Sequence, residues 1–248
     1  MKKHIKTILI VTACVLVFVF GYFAYLYIRI YSVHGNLEKK GSLTIKRLQG
    51  ELSLDVNAPY WQDIEPAEIH LLPQSARSPY GNTEKDILVK GVYNDEEVAF
   101  LLDFPDPQED RRGPTNPDLC AVLFTPRDAS AVAQMMGFAD RANIWQWRAE
   151  LDTQRYIRGD MSINAAREPT AGGPGTQTPM SEQNVVGKGE YSNGRWKVMF
   201  KRKLTAEQKE ALDFKEELDI AFAVWEGSQM ESSSRKSISV LRELIMGE

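Results

Sequence analysis

Tyr191-Ser192-Asn193-Gly194-Arg195-Trp196 sets an Asn-Gly pair between two strand-like flanks. A two-residue type I′ turn needs positive φ at both central positions, which Asn and Gly tolerate best, so this stretch predicts a β-hairpin. Downstream, Trp196, Val198 and Phe200 alternate with Lys197, Met199 and Lys201, the period of a half-buried strand. The same reading extends outward. Residues 87–93 and 98–103 flank Asn94-Asp95-Glu96 as a second hairpin. Residues 119–124 form a short apolar run. Residues 144–151 alternate, with Trp145, Trp147, Ala149 and Leu151 on one face and Gln146, Arg148 and Glu150 on the other. Residues 218–225 are nearly all apolar, as a central strand covered on both faces requires. Residues 240–246 fit either helix or strand. Thr205 with Gln208 three residues on predicts a capping box and a short helix through Leu212. The fold class expected is mainly β: an antiparallel β-sandwich with few short helices over residues 49–248. Two long loops, 105–118 and 171–189, punctuate it; the first falls near a possible site and the second reads as flexible.

Ahead of this domain, residues 7–28 contain no charged side chain. At about 1.5 Å per residue such a run crosses a hydrocarbon core of roughly 30 Å. Tyr22, Tyr25 and Tyr27 sit toward its outer end, where aromatic rings favour the interface, and Lys2, Lys3 and Lys6 favour a cytoplasmic N-terminus. A cleaved signal would be shorter and end in small residues, and a lipoprotein signal at Val11-Thr12-Ala13-Cys14 would turn polar after the cysteine. The reading is one N-terminal transmembrane helix acting as an uncleaved anchor over residues 1–30, a charged linker over 31–48, and a domain in the periplasm or outside the cell. Lys2, Lys3, Lys6 and Arg29 are removed from the 30 basic residues when residues 1–29 are set aside. That leaves 26 against 34 acidic ones, a net charge of −8.

Composition excludes several functions. Of the 248 residues 43% are hydrophobic and 26% charged, as in an ordinary folded protein. A net charge of −4 gives no basic face for nucleic acid. Cys14 and Cys120 are the only cysteines, so a disulfide scaffold, a Cys-rich zinc module and an all-Cys iron–sulfur cluster are ruled out within the chain. His4, His34 and His70 are the only histidines. No Gly-x-Ser-x-Gly elbow and no phosphate-binding Gly-x-x-x-x-Gly-Lys occurs; Gly172-Gly173-Pro174-Gly175 is a loop. Asp95-Glu96-Glu97 reads as a solvated turn, Cys120 as a buried inert thiol, and His70 as a strand residue with a hydrogen-bonded ring. Trp145, Trp147, Trp196 and Trp225 read as core.

Five segments, in order, carry a family resemblance: Glu68-Ile69-His70-Leu71-Leu72-Pro73-Gln74; residues 89–102, Val89-Lys90-Gly91-Val92-Tyr93 through Leu102; Met136-Gly137 with Ala142-Asn143-Ile144-Trp145-Gln146-Trp147-Arg148-Ala149; Gly194-Arg195-Trp196-Lys197-Val198-Met199-Phe200-Lys201-Arg202; and Ile220-Ala221-Phe222-Ala223-Val224-Trp225-Glu226-Gly227-Ser228 followed by Arg235-Lys236-Ser237-Ile238-Ser239. The chain resembles the haem-binding gamma subunits of the ethylbenzene dehydrogenase and dimethylsulfide dehydrogenase group. The resemblance implies a β-sandwich holding one non-covalent haem b, with a methionine and a lysine on the iron. These fall on Met136, next to Met135, and on Lys236. It implies an electron-transfer subunit rather than an enzyme in its own right, partnered by iron–sulfur and molybdopterin subunits, with a soluble cytochrome or a membrane component on the other side. The chemistry agrees: a thioether is a soft, neutral ligand, and an amine binds iron only when deprotonated, which burial beside a cation favours. The contrasting expectation is a haem-free β-sandwich binding carbohydrate or another small ligand, with Trp145, Trp147 and Trp225 as stacking platforms. Fold alone does not choose between them.

Overall fold

A computed structural model describes residues 12, 15–25, 41–73, 85–127, 142–158, 164–171, 177–206, 208, 211–233 and 235–248. The chain divides into two units, Met1–Lys39 and Lys40–Glu248. In the first, residues 15–25 form a helix, α1, whose apolar side chains, Phe18 and Phe20 among them, are exposed. Among the described residues no helix is long and apolar enough to cross a membrane. The rest of the expected 7–28 span lies outside the described residues.

The second unit is mainly β. Its elements are β1 (Ser42–Arg47), β2 (Ala67–Pro73), β3 (Lys85–Tyr93), β4 (Glu97–Pro105), β5 (Leu119–Pro126), β6 (Ala142–Arg148), α2 (Ala149–Arg158), β7 (Ala166–Arg167), β8 (Pro169–Ala171), β9 (Thr178–Pro179), β10 (Val186–Ser192), β11 (Arg195–Lys203), β12 (Leu218–Trp225), β13 (Ser237–Ile238) and β14 (Arg242–Met246). Hydrogen bonding runs in the order β10-β11-β4-β3-β1-β14-β12-β5-β6-β8-β9. The two layers are not separate sheets, as a plain sandwich would have them. β3 is joined to β12 twice, through β1 and β14 and again through β2 and β13, so one continuous sheet wraps around a barrel-like core. It is also not wholly antiparallel, because β1 runs parallel to both β14 and β3.

Both expected hairpins form. Asn193 and Gly194 have φ of 52° and 71°, the left-handed pair that a type I′ turn needs, and they pair β10 with β11. In the other hairpin, the Asn94 side-chain oxygen accepts from the Glu96 and Glu97 amides and closes the turn between β3 and β4. β12 is buried at all eight positions. Between the layers, Phe124 and Trp145 pack with centroids 4.7 Å apart and ring planes tilted by 57°, and Phe100, Phe200 and Phe214 complete the aromatic cluster. Rings at these separations contribute about 0.5–1.5 kcal/mol per pair beyond the area they bury.

Four expectations are corrected. Strand β6 stops at Arg148 and α2 begins at Ala149. Asp152, in the first turn of that helix, accepts from the Trp147 indole and the Gly189 amide, which pulls the chain out of the sheet. A side chain at Gly189 would collide with the Trp147 ring. Residues 42–47, expected as linker, form β1. The expected helix from Thr205 does not form among the described residues there. Gln208 instead receives a hydrogen bond from the Ser181 hydroxyl and donates to the Glu182 carbonyl. Finally, much of loop 171–189 is strand, as β9 and the start of β10; residues 172–176 lie outside the described set.

Candidate functional site

After β12 the chain makes a 3₁₀ turn at Gly227–Gln229 and passes through left-handed Met230 and Ser233, with φ of 56° and 54°. This irregular return places Lys236 just before β13, only 2% exposed. Its Nζ lies 4.9 Å over the Trp225 ring and 3.4 Å from the Ser233 carbonyl, which also accepts from the Trp225 indole. Burial disfavours the ammonium form and lowers the Lys236 pKa from 10.5 to about 8. The neutral amine is therefore within reach near neutral pH. Lys236 opens on a cavity of about 370 Å³ lined by Asn116, Leu119, Gln146, Arg148, Gln177 and Trp225 among others. A second cavity of about 520 Å³ shares Gln146, Arg148 and Gln177 and extends to Arg167 and Met180. Both lie along the face of β6 turned away from Trp145 and Trp147. On the same outward face, Ala121, Ala221 and Ala223 form an apolar cluster with Leu119, Ile144 and Trp225.

Behind Trp225 lies a buried carboxylate network. Asp118 accepts from the Gly227 and Asp110 amides and from the Trp196 indole. Glu226 pairs with Lys85 at 2.9 Å, and Glu231 accepts from the Glu226 amide. Oxygens of Asp106, Asp110 and Glu231 are buried without a hydrogen-bond partner. Desolvation, more than the neighbouring carboxylates, raises Asp106 to about 8, Glu231 to about 7 and Asp118 to about 6. A carboxyl whose folded pKa exceeds its unfolded value takes up a proton on folding. Its cost is absent below the unfolded value and grows as pH rises through the folded one. Lowering pH from about 7.5 to about 5.5 therefore stabilises the domain by on the order of 2 kcal/mol. Lys236 titrates above that window. Melting temperature should rise by roughly 4–8 °C over this range, by calorimetry. A flat or falling profile would show that these carboxyls are already ionised without penalty.

The expected site residues divide. Lys236 is buried at the cavity. Met135 and Met136 lie outside the described residues. His70 sits half-exposed on β2 with Nδ1 2.7 Å from Asp86, a surface pair. Cys120 is fully buried and its thiol is pushed up by burial. Trp145 and Trp147 are enclosed in the core and cannot serve as stacking platforms; Trp225 lines the cavity. Among the described residues no three His, Cys, Asp or Glu side chains converge to hold a metal. Sequence reasoning missed the carboxylate network and Arg148. The only signal for Arg148 was its place on the outward face of the β6 alternation.

The sequence profile of the family described as Ethylbenzene dehydrogenase matches residues 58–184 and 173–237. A Haloferax mediterranei protein assigned as the heme subunit of a respiratory nitrate reductase is 28% identical over 187 residues, 72% of this chain and 63% of its own length. Dimethylsulfide dehydrogenase subunit gamma of Rhodovulum sulfidophilum is 29% identical over 168 residues, 63% of this chain and 58% of its own length. The chain thus spans about three fifths of these curated relatives. Both are named as subunits of enzyme complexes, one as the heme subunit. Among solved structures, a family 9 carbohydrate-binding module from Caldicellulosiruptor kristjanssonii with glucose aligns over 83% of this chain and 97% of its own, at 12% identity and a TM-score of 0.46.

Proposed function

The chain belongs to the ethylbenzene dehydrogenase family, and from that premise we propose that it is a membrane-anchored b-type cytochrome subunit. It passes single electrons to or from an oxidoreductase complex and performs no bond chemistry itself. The observation that carries the reading is Lys236: an amine 2% exposed, with its pKa lowered to about 8, facing a cavity. Burial makes the ammonium form of this lysine costly to keep. As a neutral nitrogen donor it has a purpose.

The donor set fits a haem. Lys236 supplies the nitrogen, and Met136 supplies a soft thioether from the segment before β6. A nearby iron cation favours the neutral amine further. When bound, the haem supplies one-electron exchange between its ferric and ferrous forms. The chain holds that group and excludes water around it. Trp225 covers the Lys236 head, and Leu119 with the alanines of β5 and β12 offers an apolar wall. A neutral ligand pair adds no negative charge to the iron, which favours the reduced state. Residues 7–28 anchor the domain to the inner membrane, with the domain in the periplasm or outside the cell. Its partners are an iron–sulfur subunit and, through it, a molybdopterin subunit, with a soluble cytochrome on the other side. The acidic domain steers a basic partner surface.

The test is an absorption spectrum of the full chain, produced with a haem supply and purified in detergent. A sharp low-spin spectrum that responds to dithionite, with haem extractable by acid–acetone, is the expected result. A colourless protein that fails to take up added haem sinks the reading.

A further inference from the structure

We propose that Arg148 anchors a carboxylate of the bound cofactor, a haem propionate; the inference rests on the haem reading above. Arg148 ends β6 directly opposite Leu119 of β5. It lines the Lys236 cavity and the neighbouring one, and so stands at their common wall. Its guanidinium is only partly engaged. Nη2 meets Glu150 Oε1 at 2.7 Å, with both side chains 31% exposed, while Nε is buried and has no hydrogen-bond partner. A buried donor without an acceptor is a standing cost, and an acceptor brought in from outside relieves it.

The chemistry of the missing acceptor follows from the donor. A guanidinium fork matches a carboxylate along one edge and has no acceptor of its own, so its unpaired N–H calls for an anionic acceptor rather than a cation. Glu150 holds one part of the fork and leaves Nε for the second anion. Gln146 and Gln177 line both cavities and offer neutral amides beside it. Elsewhere on the wall Pro117, Leu119 and Trp225 are apolar and suit the macrocycle, while Asn116, Glu231, Ser232 and Ser233 make its polar part. Lys236 and Arg148 therefore take different parts of one amphiphilic ligand: the amine faces its metal, the guanidinium its acidic rim.

The experiment compares binding of iron protoporphyrin IX and of its dimethyl ester to the haem-free full chain, for wild type and Arg148→Gln, with spectra of each complex. The expected result is that wild type binds the ester about ten- to a hundredfold more weakly than the free acid. Arg148→Gln should lose a similar factor for the free acid, discriminate little between acid and ester, and keep the low-spin spectrum. Wild type that binds acid and ester equally well overturns the anchor without touching the haem reading. So does an Arg148→Gln protein that discriminates as wild type does. Failure of wild type to bind either porphyrin overturns both.

Discussion

Replacing Glu168 with Ala should lower the unfolding free energy by about 3–5 kcal/mol, the cost of leaving a buried charge without its partner. Arg202 of β11 is 3% exposed and Glu168 is fully buried. Nη1 of Arg202 donates to Glu168 Oε1 at 2.6 Å and to Asn143 Oδ1 at 2.9 Å, and Nη2 donates to the Leu212 carbonyl. Its guanidinium lies 5.3 Å from the Trp145 ring and 5.0 Å from that of Phe214. Glu168 in turn accepts from the Asn184 amide. The pair thus ties β11 to the segment between β7 and β8, across the aromatic core. Without Glu168, the guanidinium keeps its carbonyl and amide acceptors but has no counter-charge, and solvent cannot reach it. Arg202→Met strands the carboxylate instead and should cost a similar amount. The double variant Arg202→Met/Glu168→Leu should lose far less than the sum, because both charges leave together. Chemical denaturation measures all three. A loss below 1 kcal/mol in the Glu168 variant, the range of an exposed pair, would show that water enters this site.

Turn chemistry and strong periodicity are local signals, and they carried far. Asn193-Gly194 and the Asn94 turn give their hairpins because two or three residues decide them. β12 is legible because all eight of its side chains must be buried. Strand β1 was not, since Leu43 and Ile45 are its only buried positions and its partners β3 and β14 are parallel and distant in the chain. The end of β6 was hidden because Ala149 and Leu151 remain buried whether the chain continues as strand or turns into α2. At the site, Asp106 and Asp118 lie in the 105–118 loop and Glu226 and Glu231 in the turn after β12, and these two stretches, more than a hundred residues apart, meet only through the fold. Lys236 stands beside Arg235 after a run of serines, a pattern that reads as a solvated loop. The family resemblance singled it out; the fold adds its burial against Trp225, which no local pattern encodes.

That burial gives a way to separate a ligand from a structural lysine. Lys236→Met should abolish the six-coordinate, lysine-ligated haem spectrum or lose the haem outright, and any haem retained should shift in potential by on the order of 0.1 V or more, as a change of axial ligand does. Met136→Ala should likewise end low-spin ligation. In the haem-free protein the two roles diverge. Lys236 pays desolvation as an ammonium below its folded pKa of about 8. A methionine of similar volume removes that cost and keeps the packing on Trp225, so at neutral pH the haem-free variant should be as stable as wild type or more so. A structural lysine predicts the opposite, because losing its contacts with Ser233 and the Trp225 ring would destabilise the fold with or without haem. Thermal unfolding of haem-free Lys236→Met, set beside the spectrum of the same variant with haem added, therefore decides the role. Lost ligation with stability held marks the iron ligand. Retained six-coordinate spectra in both the Lys236 and Met136 variants would remove this ligand pair from the haem.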